Sequence, residues 1–204
     1  MIDKICTFLT NKIRQEMTDV DDERAEVINY GLQNIIGEIP KFFIVLIVAY
    51  LFGILKETLV TFFILLPYRC FSGGVHLKTH MGCIISTCLM YCGVDYIAKS
   101  IEFTQITIYI LAVSTWVFGM IMIKLYAPAD TENVPILRKK ERKQKQILSY
   151  LVLTVGTIVA VVIPNTIVAN VIIFGYLVQS CMITRFIYKI TDNKYGYEVY
   201  STSN

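Results

Sequence analysis

Apolar runs long enough to cross a bilayer recur along this 204-residue chain, and no other feature limits its fold as strongly. Six can be drawn, at roughly 35–55, 58–71, 80–97, 105–124, 147–163 and 167–187. The hydrophobic fraction is 55%, above that of an ordinary soluble domain, and no separate soluble domain remains once the spans are assigned. The expected fold is an all-α polytopic membrane protein of about six transmembrane helices in one domain, 1–204. It divides into an interfacial N-terminal segment (1–34), the spans (35–187) and a tail (188–204). The second span is short, bounded by Lys56-Glu57 and Pro67, so it has to tilt, thin the bilayer or cross only in part. Met1 opens a segment without the apolar core and cleavage site of a secretory signal. The first span is therefore expected to stay in the mature protein.

Residues 2–17 read as an amphipathic helix. Ile2, Ile5, Leu9, Ile13 and Met17 recur at three- and four-residue steps, leaving Lys4, Lys12 and Arg14 for anionic headgroups. A second helix is expected to begin near Asp21-Asp22, where acidic side chains suit a helix N-terminus. Its Val27, Ile28, Leu32, Ile35 and Ile36 lead into the first span. Pro164-Asn165-Thr166 predicts a tight turn between the last two spans.

Charge sets the expected orientation. With the N-terminus inside, the loops 67–79 and 125–146 and the C-terminal tail are also cytoplasmic. Only Lys56 and Lys99 of the nineteen Lys and Arg then face outward, as the positive-inside rule demands. The run Arg138-Lys139-Lys140-Glu-Arg-Lys-Gln-Lys145 dominates the count. It reads equally as a topology anchor on anionic lipid or as a docking patch for an acidic peptide. Nucleic acid is not among the expected partners.

The chemistry-bearing stretch is Arg69-Cys-Phe-Ser-Gly-Gly-Val-His76-Leu-Lys-Thr-His80-Met-Gly-Cys83, at the mouth of the third span. Polar groups there are costly and point to function. Gly73-Gly74 predicts a turn. His76 then starts the following helix, with Cys83 seven residues on and on the same face, about 10 Å away along the axis. A bend at the glycines and the backward lean of helical side chains would bring the pair closer. A histidine can take the proton that keeps a thiol from attacking, so His76 and Cys83 form a candidate base and nucleophile. His80, one turn before Cys83, is the nearer base by helical geometry. His76, His80 and Cys83 also have spacing that could converge on zinc, but Leu77 stands where a metalloprotease carries its catalytic Glu. Arg69 is either another positive-inside anchor or a clamp for a substrate carboxylate. Ser72 reads as a cap for the following turn. Asp95 and Glu102 lie at the far end of the third span, a poor position for a third catalytic group. Six cysteines occur without a C-x-x-C pair, and a disulfide framework is not expected. Cys88, Cys92 and Cys181 read as packing residues.

These residues resemble the accessory gene regulator protein B family of Gram-positive membrane peptidases. The resemblance rests on Arg69, on Gly73-Gly74-Val-His76 with Cys83 seven residues later, and on Ala127-Pro-Ala-Asp-Thr131 ahead of Pro135-Ile136 and the basic run. It covers nearly the whole chain. It implies an enzyme that cleaves a short AgrD-like propeptide at its C-terminal side and cyclises the remainder into a thiolactone or lactone signalling peptide. By position, Cys83 is implied as nucleophile and His76 as base. Arg69, Gly73, Gly74, Arg138, Lys139 and Lys140 are implied as substrate-binding or supporting residues. No metal or organic cofactor is needed, and a homodimer in the cell membrane is expected. The competing classes are a small transporter or peptide exporter, a zinc-dependent intramembrane hydrolase and a membrane scaffold. A transporter would carry paired polar breaks at the midplane, whereas the polar cluster here sits at one edge.

Overall fold

In the computed structural model, residues 2–17, 21–77, 79–132 and 135–201 are described. Some side chains within them, among those named above Ile2, Lys4, Val27, Ile35 and His80, lie outside this description. Among the described residues the chain is helical and holds no β-strand, as the apolar runs require of an all-α membrane protein.

The chain forms two compact units, 1–47 and 48–204. In the first, α1 (Ile2–Glu16) and the start of α2 (Asp22–Leu51) follow the predicted bounds. The Asp21 carboxylate accepts the Arg24 N–H at 2.8 Å and satisfies one of the orphan donors at that helix start. Thr10 donates to Asn29 at 3.4 Å, and Arg14 pairs with Asp22, so α1 is tied to α2 at its polar residues.

The second unit is a helical bundle. It holds the end of α2, α3 (Leu55–Ser72), α4 (His80–Cys88), α5 (Val94–Ser100), α6 (Gln105–Tyr126), α7 (Lys139–Val162) and α8 (Thr166–Met182). A single π turn, Leu89–Gly93, joins α4 to α5 without a break. Three stretches, Met81–Ser100, Gln105–Tyr126 and Lys139–Val162, are long and apolar enough to cross a membrane by length and composition. Ile39–Leu51 and Thr166–Met182 are shorter apolar helices. The fifth run begins eight residues earlier than its hydropathy suggests, because the basic stretch from Lys139 is itself helical and continues into the apolar part of α7.

Helix α8 is the centre of the bundle and packs on α3, α5, α6 and α7. Small residues permit this closeness, as they do between helices in lipid. A Cβ at Gly156 would lie 2.0 Å from the Tyr176 hydroxyl, and one at Gly119 would lie 2.7 Å from Leu153. Phe63, Ile106 and Val162 instead point outward, on the surface that lipid would cover. At the end of the bundle where α5 meets α6, Asn170 of α8 donates to the carbonyls of Ala98 and Ile101 and closes the bend. Asn165 caps α8, accepting from the Val168 N–H at 3.1 Å, so the predicted Pro164 turn is a helix start. Asp95 is fully buried and accepts from Thr61, at the bundle end away from Cys83.

Beyond α8 the chain does not trail away. Two short helices, α9 (Arg185–Ile190) and α10 (Gly196–Ser201), fold the C-terminal segment back onto the segment that follows α6.

Candidate functional site

The ends of α3, α6 and α8 and the starts of α4 and α7 meet at one end of the bundle. Helix α3 finishes at Ser72, and the Gly73 N–H closes its last turn on the Arg69 carbonyl at 2.9 Å. Gly73 and Gly74 then take φ of +77° and +142°, in the region that only glycine occupies without strain. At Gly73 a side chain is also excluded by space. Its Cβ would lie 2.2 Å from the Ala129 carbonyl oxygen. That closeness lets residues 72–74 run alongside the loop after α6: Ala129 N–H donates to Ser72 O at 2.8 Å, and Gly74 N–H donates to Ala129 O at 2.9 Å.

Two side chains fix this turn from the other side. Gln179, fully buried in apolar α8, donates to Gly73 O at 2.7 Å and to Ser72 Oγ at 2.9 Å. Its Oε1 accepts from Arg69 Nη1 at 3.3 Å, and Arg69 Nη2 reaches the Val75 carbonyl at 3.0 Å. Arg69 thus binds the backbone one residue before His76. Ser72 is held within this frame, and the side chain that caps the next helix is Thr79, accepting from the Gly82 N–H at 3.2 Å.

That cap revises the local geometry expected around His76. Helix α4 starts at His80, so His76 precedes it in the non-helical segment after the glycines, and the two candidate residues do not share one helical face. The positive-φ Gly73-Gly74 turn and the Thr79 cap together hold 73–77 out of the helix. The segment buries Val75 and exposes His76. Cys83 is half-buried in the first turn of α4, its N–H on the Thr79 carbonyl at 2.9 Å. Negative charge is favoured at that end of a helix. Gly82 suits the turn before it, since a Cβ there would meet Thr79 Oγ1 at 2.6 Å. The proposed zinc trio would need the His80 side chain, which lies outside the described residues.

The loop after α6 has its own anchor. Asp130, buried, accepts the N–H groups of Ile136 and Tyr197 and pairs with Arg142 at 3.1 Å. Arg142 also donates to Pro128 O and Ile136 O and lies over the Tyr197 ring. One cation of the basic run is therefore structural, while Arg138, Lys139 and Lys140 at the start of α7 are exposed. Sequence reading missed Gln179, Thr79 and Arg142 as supports. Gln179 did carry a signal: it is a polar residue within an apolar run, where an amide has to find partners.

Fold and site together define a helical membrane protein with a rigid polar loop, carrying an exposed histidine, that leads into a helix start bearing a cysteine. The sequence model of the accessory gene regulator B family matches residues 6–183, and the chain belongs to that family. An AgrB-like protein of Clostridium perfringens strain SM101 is 31% identical over 163 residues, 76% of this chain and 73% of the relative. An AgrB-like protein of Listeria innocua is 30% identical over 185 residues, 88% of this chain and 87% of the relative. No solved structure matches the chain. Family membership supports a role in the accessory gene regulator quorum-sensing system, with involvement of a propeptide.

Proposed function

We propose that this chain is a membrane-embedded cysteine endopeptidase that trims a signalling propeptide at its C-terminal side and closes the remainder into a thiolactone or lactone ring. The observation that supports this most is the hydrogen-bonded frame of Arg69, Gln179 and Ala129 around Gly73-Gly74. Such a frame holds still a loop whose exposed member is His76 and which feeds the helix start carrying Cys83.

In this reading His76 accepts the Cys83 proton and the sulfur attacks the scissile carbonyl. The bond to the leaving amine breaks, His76 returns the proton to that amine, and the peptide remains as a thioester on Cys83. A Cys or Ser within the peptide then attacks the thioester. Its proton passes through His76 to the Cys83 sulfur, which leaves as the ring closes. First-turn N–H groups of α4 that lack intrahelical acceptors serve as the oxyanion donors. Exclusion of water at the membrane boundary favours ring closure over hydrolysis, and the tether holds the two ends at high effective concentration. Arg138, Lys139 and Lys140 gather an acidic leaving segment. The positive-inside bias puts this end of the bundle and both termini in the cytoplasm. The mechanism uses no metal or organic cofactor.

The test is intact mass spectrometry of protein in liposomes with the propeptide encoded beside its gene, comparing wild type with Cys83→Ala and His76→Ala. A peptide-sized adduct and a cyclic product that both vanish in Cys83→Ala are expected. Absence of cleavage by wild type points to transport instead. Cleavage that survives Cys83→Ala and stops with a chelator means zinc chemistry.

A further inference from the structure

The Ala129 carbonyl has two donors. One is the Gly74 N–H at 2.9 Å, from the turn that presents His76. The other is the Tyr188 hydroxyl at 2.8 Å, from α9. A carbonyl oxygen offers two lone pairs, so these two bonds use its full capacity. Tyr188 is 2% exposed and also reaches the Asp130 carbonyl at 3.2 Å. Its ring stacks flat on Tyr195, with centroids 4.1 Å apart, and the Tyr195 hydroxyl donates to Ile183 O at 2.8 Å. The segment can lie this close because residue 196 is glycine: a Cβ there would be 2.3 Å from the Thr131 carbonyl oxygen.

We propose that Tyr188 is a positioning residue for His76, acting from the C-terminal segment through the Ala129 carbonyl and the Gly74 amide. The inference rests on the peptidase reading above. The path is short and entirely hydrogen-bonded, from Tyr188 Oη to Ala129 O to Gly74 N, two residues before His76. It is also outside the reacting atoms. The Tyr188 hydroxyl holds the 129–130 backbone. Burial first, and then the neighbouring Tyr195 and Asp130, push the Tyr188 phenol well above its ordinary range, so the hydroxyl remains a donor. The C-terminal segment is then a working part of the site, not a cytoplasmic trailer.

Tyr188→Phe keeps the stacked ring and removes only the donor. In proteoliposomes, kcat and KM for propeptide processing would be measured together with the pH profile of Cys83 alkylation by iodoacetamide, alongside His76→Ala and Cys83→Ala. The expected result is a kcat lowered about tenfold with KM within about twofold, as for a small misplacement of a reacting group. The alkylation profile should move toward that of His76→Ala. A Tyr188→Phe protein with wild-type kcat and profile, beside a displaced His76→Ala profile, overturns the positioning role and leaves the peptidase reading intact. A lowered kcat with an unmoved profile overturns it too, because a simple structural prop explains that outcome. An unmoved profile in His76→Ala, or processing that survives Cys83→Ala, defeats the peptidase reading and this inference with it. Should Tyr188→Phe not fold, deuterium exchange of the wild type reads the same link. Gly74 is expected to exchange as slowly as the α9 backbone, and fast exchange at Gly74 overturns the proposal.

Discussion

The Gln179 side-chain amide donates to the Gly73 carbonyl at 2.7 Å, joining the last turn of an apolar helix to the turn that carries the candidate histidine. The same side chain accepts from Arg69 at 3.3 Å, so a single buried residue holds both the turn carbonyl and the guanidinium. Polar bonds of this kind are costly to leave unmade.

Gln179→Leu is therefore expected to destabilise the protein by about 1–3 kcal/mol, the cost of leaving buried polar partners unsatisfied. Processing should fall with it, because the Gly73 carbonyl and Arg69 both lose their fixed positions. Gln179→Glu keeps the acceptor for Arg69 but aims an oxygen at the Gly73 carbonyl, so it should not restore activity. Thermal melting in detergent, paired with product formation by mass spectrometry, checks both.

The two glycines should respond unequally to alanine. Both have positive φ, and strain of this kind costs about 1–3 kcal/mol. Gly73→Ala adds a collision with the Ala129 carbonyl at 2.2 Å, which backbone cannot relieve cheaply, whereas the nearest atom at Gly74 is Arg69 Nη1 at 3.5 Å. Gly73→Ala should accordingly give the lower melting temperature of the two. Equal melting temperatures would show that the 72–74 and 129 segments are not in register.

Much of this architecture was legible in sequence, for identifiable reasons. Apolar length and periodicity marked α1, the start of α2 and the bundle helices, and two adjacent glycines marked a turn that only glycine can make. The helix start was misplaced because the Gly-Gly signal outweighed Thr79, whose hydroxyl is the actual cap. Arg142 was hidden by its neighbours: a basic run reads as one solvated patch, and only the fold turns one member inward to Asp130. Residues 188–204 were read only as a cytoplasmic tail because Tyr188, Tyr195 and Gly196 acquire meaning only against Ala129 and Thr131, far away in sequence.

Asp130→Asn tests the anchor beneath that loop. It keeps an acceptor for Ile136 and Tyr197 but loses the charge that faces Arg142. Hydrogen bonds to charged groups are worth about 1.5–3 kcal/mol, so a loss in that range is expected. Limited proteolysis should show the C-terminal segment becoming cleavable before the bundle does.

Alkaline pH should loosen the same region. Burial pushes the phenols of Tyr188 and Tyr195 above the ordinary value of 10.0. A raised value in the folded state means the unfolded chain gives up these protons first. Stability from the two groups is thus fully present below pH 10.0 and declines as pH rises above it toward the folded-state values. Melting temperature should stay level from neutrality to that point and then fall. Tyr188→Phe should blunt the fall, and a wild-type slope in that variant would remove Tyr188 from the explanation.

The exposed cations at the start of α7 make the final prediction. Arg138, Lys139 and Lys140 project from the helix whose Arg142 is bound to the loop beside Gly73, so their charge is held near the site. If they gather an acidic leaving segment, reversing Lys139 and Lys140 to Glu should raise KM several-fold, roughly tenfold at low salt, with kcat little changed. Charge attraction of this sort is screened over about 10 Å at 0.1 M ionic strength. Wild-type KM should therefore climb with added salt, and the variant's KM should be nearly flat. A propeptide whose C-terminal acidic residues are neutralised should behave on wild type as the intact peptide behaves on the variant. Lowered kcat at unchanged KM and salt response would instead assign these lysines to the fold of α7 and remove them from substrate capture.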